Sequence, residues 1–179
     1  MFKIFYPYEY SESVFEIDYN KLYESGYRGL IFDIDNTLVH HGADSTEQVD
    51  NLFRTIQNIG FKTLLLTNND KERVMRFIRN IDTLYVCDAD KPAVDSYLKS
   101  VELINLRKEE IVCIGDQIFT DILGANKSGI ASILVRFIRL DEETKIGKRR
   151  HIENFILNFY KRSRSCQHRL GDINKKRID

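Results

Sequence analysis

The sequence has no excess of charge of either sign and few cysteines. Its 179 residues contain 27 Lys+Arg and 27 Asp+Glu, so the formal net charge is zero. A dedicated nucleic-acid binder usually has a basic excess, so this balance argues against that class. Cys87, Cys113 and Cys166 are odd in number and show no C-x-x-C spacing. We expect buried, reduced thiols rather than disulfides or zinc ligands.

Sequence signals for the membrane and for secretion are also lacking. No stretch approaches the roughly 20 apolar residues that a membrane span needs. The opening residues lack the apolar run and the small-residue cleavage site of a secretory signal. These absences favour a cytoplasmic protein. The charge is uneven, however, because seven Lys or Arg residues and a single acid, Asp172, lie between Lys161 and Arg177. We expect residues 161–179 to form a basic, disordered tail, and contact with anionic lipid or RNA is the alternative.

Short apolar runs alternate with helical segments from residue 29 onward. Their near-continuous apolar character indicates strands that are covered on both faces, as in a parallel sheet. Five alternations imply an α/β fold with a doubly wound parallel sheet. We expect this domain to span residues 29–160, with residues 1–28 packed on it and their aromatic side chains covering the core. The predicted strands are 29–34, 63–66, 83–87, 111–114 and 132–135.

Capping residues predict where the helices begin and end. The predicted helices are 18–25, 45–59 with Ser45 as N-cap, a helix from Asn69 or Asp70 to about 80, one from Pro92 to about 104, 119–128, and 145–160. The last of them carries Ile152, Phe155, Ile156 and Phe159 on one face. We expect that face to pack on the sheet, and membrane contact is the alternative.

Polar clusters follow four successive predicted strands. Asp33, Asp35 and Thr37 follow the first, Thr67 and Asn68 the second, Lys91 the third, and Asp116 and Asp121 the fourth. Because the carboxyl ends of parallel strands meet at one edge of a sheet, we expect these groups to converge. Several nearby carboxylates ionise together only if a cation compensates them, and their hard oxygens suit Mg²⁺. A carboxylate of this kind can act as a covalent nucleophile towards a phosphoryl group.

The order and spacing of these clusters resemble the haloacid-dehalogenase (HAD) phosphatases, a Rossmann-like fold. Asp33-x-Asp35-x-Thr37, Thr67, Lys91 and Gly115-Asp116-x-x-x-x-Asp121 match the four motifs of that superfamily. The detailed residues resemble its YqeG-like branch in subclass IIIA, which also includes the mitochondrial phosphatidylglycerophosphate phosphatases. The resemblance covers about residues 5–136. Two departures are Gly124-Ala-Asn126-Lys127 after the fourth motif and the acidic Asp88 and Asp90 before Lys91.

The resemblance implies a role for each matching residue. Asp33 is the nucleophile, and Asp35 is the general acid and base. Lys91 positions the nucleophile and the phosphate, while Thr37, Thr67 and Asn68 bind the substrate. Metal ligands are Asp33, Asp35 through its main-chain carbonyl, and Asp116, with Asp121 supporting either the metal or Lys91. The implied activity is Mg²⁺-dependent hydrolysis of a phosphomonoester through an aspartyl-phosphate.

The intervals between the motifs are too short for a separate cap domain. Twenty-nine residues lie between Thr37 and Thr67, which leaves room for one loop, one helix and one strand. We therefore expect an open site, which suits a large substrate such as the lipid phosphate phosphatidylglycerophosphate at an anionic membrane. A phosphatase of a small soluble metabolite and a HAD-fold binding or regulatory protein with little turnover are the alternatives. The sequence leaves the oligomeric state open.

Overall fold

The computed structural model describes residues 2–139 and 147–175. Within them, strands and helices alternate along the chain as predicted, with one additional strand near the N-terminus. The strands are β1 (Glu9–Ser11), β2 (Gly29–Phe32), β3 (Lys62–Leu66), β4 (Leu84–Val86), β5 (Ile111–Gly115) and β6 (Ala131–Val135). The helices are α1 (Tyr19–Glu24), α2 (Glu47–Ile59), α3 (Lys71–Phe77), α4 (Val94–Ile104), α5 (Leu123–Lys127) and α6 (Lys148–Arg162).

All six strands form one parallel sheet in the order β1-β6-β5-β2-β3-β4. From β2 the chain winds outward through β3 and β4, then crosses back to β5 and continues outward to β6. This arrangement confirms the predicted doubly wound α/β fold. The strand order reverses beside β2, where Phe32 pairs with Leu65 of β3 and Ile114 of β5. Residues that follow these strands therefore meet at the crevice where parallel α/β sheets bind ligands.

Both faces of the sheet are buried, which accounts for the continuous apolar runs. Leu30 and Phe32 belong to a core cluster with α1 and α2. Ile31 points to the opposite face, in a cluster with Tyr97 of α4 and Ala125 of α5. Side chains alternate between the faces of a strand, so β2 contributes to both clusters and anchors the centre of the sheet.

Strand β1 was not predicted from the sequence. Its three residues pair in parallel with β6, from Glu9 opposite Ile133 to Ser11 opposite Val135. The N-terminal segment therefore extends the sheet as well as packing on the domain. As expected, its aromatic rings cover neighbouring elements, with Phe5 against Phe119 and Tyr6 against Tyr160.

The helix boundaries follow the predicted caps within a few residues. Thr46, rather than Ser45, accepts a hydrogen bond from the backbone N–H of Val49 and caps α2. Asp70 caps α3, which ends at Phe77 instead of about residue 80. Gly60 ends α2 with a φ of 115°, a conformation that favours glycine. The predicted helix 119–128 is a π-helical turn, Ile118–Ile122, followed by α5.

The expected disordered tail differs from the structure. Residues 161–175 pack on the domain, with Leu170 and Ile173 buried in the core cluster of α1 and α2. The backbone N–H of Asp18 donates to the carbonyl of Ile173 (2.6 Å), and that of Lys175 donates to the carbonyl of Glu16 (2.8 Å). The sequence of this segment indicated disorder because its many Lys and Arg residues outnumber Leu170 and Ile173, the two apolar side chains that hold it on the domain. The rest of the predicted tail, 176–179, lies outside the described residues.

The predicted packing face of the last helix was wrong. The side chains of Ile152, Phe155 and Phe159 are 54%, 63% and 47% exposed. Of the four predicted side chains, only that of Ile156 packs inward, against a cluster that contains Ile118, Ile122 and Leu134. Glu153 and Tyr160 form the buried face instead. Glu153 is retained inside because it accepts hydrogen bonds from the backbone N–H of Phe119 and from Arg150.

The chain inserts no separate cap domain before the last motif. Between Thr37 and Thr67 lie a loop, α2 and β3, and between Thr67 and Lys91 lie α3 and β4. The thiols are free, with Cys113 and Cys166 buried and Cys87 half-buried. Among the described helices, none has the length and apolar composition needed to cross a membrane.

Candidate active site

Four strand ends bring the predicted polar residues to one edge of the sheet. Asp33 follows β2, Thr67 follows β3, Lys91 lies beyond β4, and Asp116 follows β5. The Lys91 ammonium lies 2.5 Å from Asp33 Oδ1 and 2.7 Å from Asp121 Oδ1. The expected convergence of Asp33, Lys91, Asp116 and Asp121 is therefore what the structure shows.

Three buried carboxylates form the centre of this site. Asp33, Asp116 and Asp121 each place one oxygen within 4.8 Å of the others. Asp121 is already engaged, because its Oδ1 accepts from Lys91 and its Oδ2 accepts from the backbone N–H of Gln117 (3.0 Å). Asp121 thus supports Lys91, which is one of the two roles expected for it.

Within the described part of the chain, two side-chain cations contact these acids. Besides Lys91, Arg150 of α6 donates to Asp116 Oδ2 and, at 2.7 Å, to the Asp116 carbonyl. Arg150 is shared with a fourth carboxylate, Glu153, at 3.0 Å. Buried acids therefore outnumber buried cations here, and a divalent cation bound by hard oxygens would correct the imbalance. The donor set fits Mg²⁺.

The excess of acid also appears in the pKa values. Burial raises the pKa of Asp33 to about 6, against the opposing effect of Lys91. Burial, and then the neighbouring Asp33, raises the pKa of Asp116 to about 7 in spite of Arg150. Burial alone would lower the pKa of Lys91, but Asp121 and Asp33 outweigh it and keep the ammonium charged. The site thus holds a permanent cation between carboxylates that ionise at a cost.

These pKa values predict a pH-dependent effect of Mg²⁺ on stability. The folded pKa values of Asp33 and Asp116 lie above the ordinary value of 3.8. Their contribution to stability is therefore fully present below about pH 4 and is lost as the pH rises through about 6 to 7. A bound cation should offset that loss. We expect Mg²⁺ to raise the urea midpoint more at about pH 8 than at about pH 5.

The matched control for this measurement is Asp116→Asn, which removes one carboxylate of the predicted metal site. In this variant Mg²⁺ should have little effect at either pH. An equal effect of Mg²⁺ on the wild-type midpoint at both pH values would contradict the prediction.

Thr37 lies between the two carboxylates. Its hydroxyl oxygen is 3.2 Å from Asp33 Oδ2 and 3.1 Å from Asp116 Oδ1. A hydroxyl has one proton, so it donates to one carboxylate at a time. Without a bound substrate, Thr37 therefore holds the acids in position. Its predicted role in substrate binding would require it to exchange one of these partners.

The carboxylate of Asp35 is held by donors other than those that contact the three buried acids. It accepts hydrogen bonds from the backbone N–H of Gly42 (2.9 Å), from Asn69 Nδ2 (2.5 Å) and from Arg73 Nη2 (3.1 Å). Burial raises the pKa of Asp35, but these donors outweigh it and leave the pKa below its usual value. A metal contact through Asp35 would therefore have to come from its main chain, as the motif implies.

Thr67 and Asn68 hold the neighbouring loops. The Thr67 hydroxyl accepts from the backbone N–H (3.2 Å) and the side-chain amide (2.8 Å) of Asn69, which leaves its own proton available to a ligand. The side-chain oxygen of Asn68 accepts from the backbone N–H of Lys91 at 2.7 Å. Asn68 thus ties the loop after β3 to the loop that carries the lysine.

Sequence reasoning did not identify three residues of this site. The sequence places Asn69 in the polar turn after the second strand and as a possible helix cap, without a role in the site, and it gives no role to Arg73 or Arg150. An arginine on a helix surface gives no sequence signal of the carboxylate it will meet. Arg73 reaches Asp35 across 38 residues, and Arg150 reaches Asp116 across 34.

A cleft of about 680 Å³ lies beside the acids. Thr37 and Asp116 line it together with Leu157 and Lys161 of α6 and apolar residues of β6. Pockets of this size accommodate small to medium-sized organic ligands. The arrangement as a whole combines a buried nucleophile candidate, a fixed cation and an adjacent cavity.

Comparisons with known proteins agree with this geometry. A family model described as HAD-hydrolase-like matches residues 89–138. The chain is 32% identical over 166 residues to "Probable phosphatase YqeG" of Bacillus subtilis, with 92% of this chain and 96% of that protein covered. Among solved structures, an uncharacterised protein of Listeria monocytogenes serotype 4b has a TM-score of 0.53 at 18% identity, covering 76% of this chain and 99% of that one. That structure supports the fold alone.

Proposed function

Because this chain belongs to the YqeG-like branch of the HAD phosphatases, we propose that it hydrolyses a phosphomonoester through an aspartyl-phosphate on Asp33, with Mg²⁺ as its ion. The observation that carries the proposal is the contact of Asp33 with Lys91 at 2.5 Å in a buried site. A nucleophilic carboxylate must approach an anionic phosphoryl group, and a fixed cation reduces their repulsion.

In the first step an oxygen of Asp33 attacks phosphorus, and the bond between phosphorus and the leaving oxygen breaks. Lys91 holds Asp33 Oδ1, and Asp121 holds Lys91 from the other side. Both contacts fix the orientation of the nucleophile before the substrate arrives, which lowers the entropic cost of reaching the transition state. Water then attacks phosphorus, the acyl phosphate bond breaks, and the Asp33 carboxylate is regenerated with release of inorganic phosphate.

Asp35 is the proposed proton donor to the leaving oxygen and the base that activates water. Its carboxylate is held ionised by Asn69 and Arg73, which suits the second step. For the first step it must gain a proton, and the approach of an anionic substrate favours that because it opposes the ionised form.

Asp33 and Asp116 would hold the Mg²⁺ ion through their carboxylates, with the main-chain carbonyl of Asp35. When bound, the ion supplies positive charge that draws the phosphate towards the nucleophile. Thr67, through its available proton, and Thr37 are the proposed contacts to the phosphate oxygens.

The proposed substrate is a lipid phosphate such as phosphatidylglycerophosphate. Support comes from the lack of an inserted cap, which leaves the site open to a large molecule, and from the cleft beside Asp116. Its lining is partly apolar, with Ile118, Leu134 and Phe137 next to the cationic Lys161. Such a surface suits a substrate that has both an anionic head and an apolar portion.

Trapping of the phosphoenzyme tests the mechanism. A substrate labelled in its phosphoryl group, mixed with the protein and Mg²⁺ and quenched in acid, should leave label on the chain that hydroxylamine removes. Chelation of Mg²⁺ should abolish both labelling and turnover. Turnover without labelled protein would contradict the aspartyl-phosphate route.

The substrate class is tested separately by turnover. Phosphatidylglycerophosphate in mixed micelles should have a higher kcat/KM than glycerol 3-phosphate, which has a phosphate but no acyl chains. Equal or lower values would favour a small soluble substrate.

A further inference from the structure

The outward face of α6 carries an unpartnered apolar stripe, which consists of Ile152, Phe155 and Phe159. These side chains are 54%, 63% and 47% exposed. Their spacing of three and four residues places them on one side of the helix. The rings of Phe155 and Phe159 pack edge to face, with centroids 4.7 Å apart. Two adjacent aromatic rings and an isoleucine form an apolar surface whose exposure to water is unfavourable.

Cations flank this stripe at both ends of the helix. Lys148 is exposed at its start and Arg162 at its end, on the same side of the helix as the stripe. The single carboxylate within Lys148–Arg162 is that of Glu153, which is buried against Arg150. The side of α6 that carries the stripe is therefore apolar in the middle, positive at both ends and free of acid.

We propose that the apolar stripe of α6 docks on an anionic phospholipid bilayer. An interfacial helix inserts its apolar side chains below the lipid phosphates, while its Lys and Arg side chains reach those phosphates. The length of α6, 15 residues, suits a helix that lies in the plane of the membrane surface rather than across the bilayer.

A second copy of the chain fits this surface less well than a bilayer does. Two α6 helices packed along their stripes would bring cations against cations at both ends, whether they ran parallel or antiparallel. No exposed carboxylate on either helix would compensate them. Juxtaposed like charges oppose association, whereas anionic lipid removes that penalty.

Docking through α6 would bring to the membrane the helix whose other side lines the cleft. The same helix lines the cleft through Asn154, Leu157 and Lys161, and its Arg150 contacts Asp116. The inference therefore deepens the proposed function, on which it rests for the identity of the substrate, because it names a membrane-binding surface on the helix that also lines the cleft. Binding to vesicles can nevertheless be measured without any turnover.

The test is flotation of the full chain with vesicles of phosphatidylcholine alone and with vesicles in which about a third of the lipid is phosphatidylglycerol. The wild-type protein should float with the anionic vesicles and stay behind with the neutral ones. The double variant Phe155→Ser, Phe159→Ser should bind anionic vesicles at least about tenfold more weakly. Its hydrolysis of soluble p-nitrophenyl phosphate should be unchanged, since neither ring touches the site.

Leu98→Ser with Leu103→Ser is the matched control, because these α4 side chains are also exposed, at 45% and 44%. This control should bind anionic vesicles as the wild type does. Equal binding by the wild type and the Phe variant would overturn the proposal, as would a wild-type protein that stays unbound. A wild-type dimer that the Phe substitutions dissociate, without vesicle binding, would assign the stripe to self-association instead.

The outcomes separate this inference from the proposed function. Vesicle binding by a protein that hydrolyses no phosphomonoester would support the docking surface and remove the proposed activity. Hydrolysis of soluble phosphomonoesters without vesicle binding would support the proposed activity and overturn the docking surface.

Discussion

Replacement of Asp33 by Asn should lower the turnover of p-nitrophenyl phosphate by at least about a thousandfold, which is typical of the loss of a covalent nucleophile. The amide has no negatively charged oxygen with which to attack phosphorus. Steady-state kinetics with saturating Mg²⁺ measures the effect. The variant should also accumulate no labelled phosphoenzyme.

The loss should come from chemistry rather than unfolding. Asn has nearly the same shape as Asp, and Lys91 keeps its partner Asp121 at 2.7 Å. Burial raises the pKa of Asp33 to about 6, so removal of that acid should leave the urea midpoint at neutral pH unchanged or higher. The matched control is Asp82→Asn, the same change at an exposed aspartate, which should retain full activity.

Residual turnover above about a hundredth of the wild-type value would point to another nucleophile. A wild-type protein with little or no turnover would instead favour the alternative in which the fold serves mainly as a binding protein. Such a protein would keep its partner after the substitution.

Replacement of Lys91 by Met should destabilise the protein by about 3–5 kcal/mol at neutral pH, because it removes the cation from a buried ion cluster. The side chain is 4% exposed and lies between Asp33 and Asp121. Met preserves most of the volume, so the loss reports charge rather than a cavity. Urea unfolding measures the effect, and turnover should fall by about a hundredfold or more.

The pH dependence of this variant identifies the cause. Without the lysine, the pKa of Asp33 should rise further, so the destabilisation should be small below about pH 4 and grow as the pH rises. Lys99→Met, at an exposed position of α4, is the control and should change the midpoint little. A Lys91 variant as stable as the wild type at pH 8 would contradict the ion cluster.

Much of the site could be predicted because parallel sheets impose a common edge. Asp33, Thr67, Lys91 and Asp116 each follow an apolar run that can be recognised in the sequence, and the doubly wound topology brings those ends together. Local pattern was sufficient for these residues. Because β2 and β5 are neighbours in the sheet, Asp33 and Asp116, which follow them, lie close together.

The orientation of α6 could not be read from its apolar pattern. The helix offers two faces, one with Ile152, Phe155 and Phe159 and another with Ile156 and Tyr160. Apolar content favours the face with Phe155 and Phe159 for packing on the domain. The face with Ile156 and Tyr160 packs there instead, because Glu153 on that side accepts a hydrogen bond from the backbone N–H of Phe119. Such a long-range hydrogen bond leaves no periodic signal. The roles of Arg73 and Arg150 could not be predicted for the same reason, because their carboxylate partners are distant in the sequence.

The packing of the last described residues beside the first strand has a consequence for synthesis. Residues 169, 173 and 175 bond to the backbone of residues 8, 18 and 16, and β1 and α6 both line the cleft. A nascent chain can form β2 to β5 early, but it cannot close this side of the molecule until residue 175 has left the ribosome. Catalytic competence should therefore appear late in translation, after the central strands have already folded.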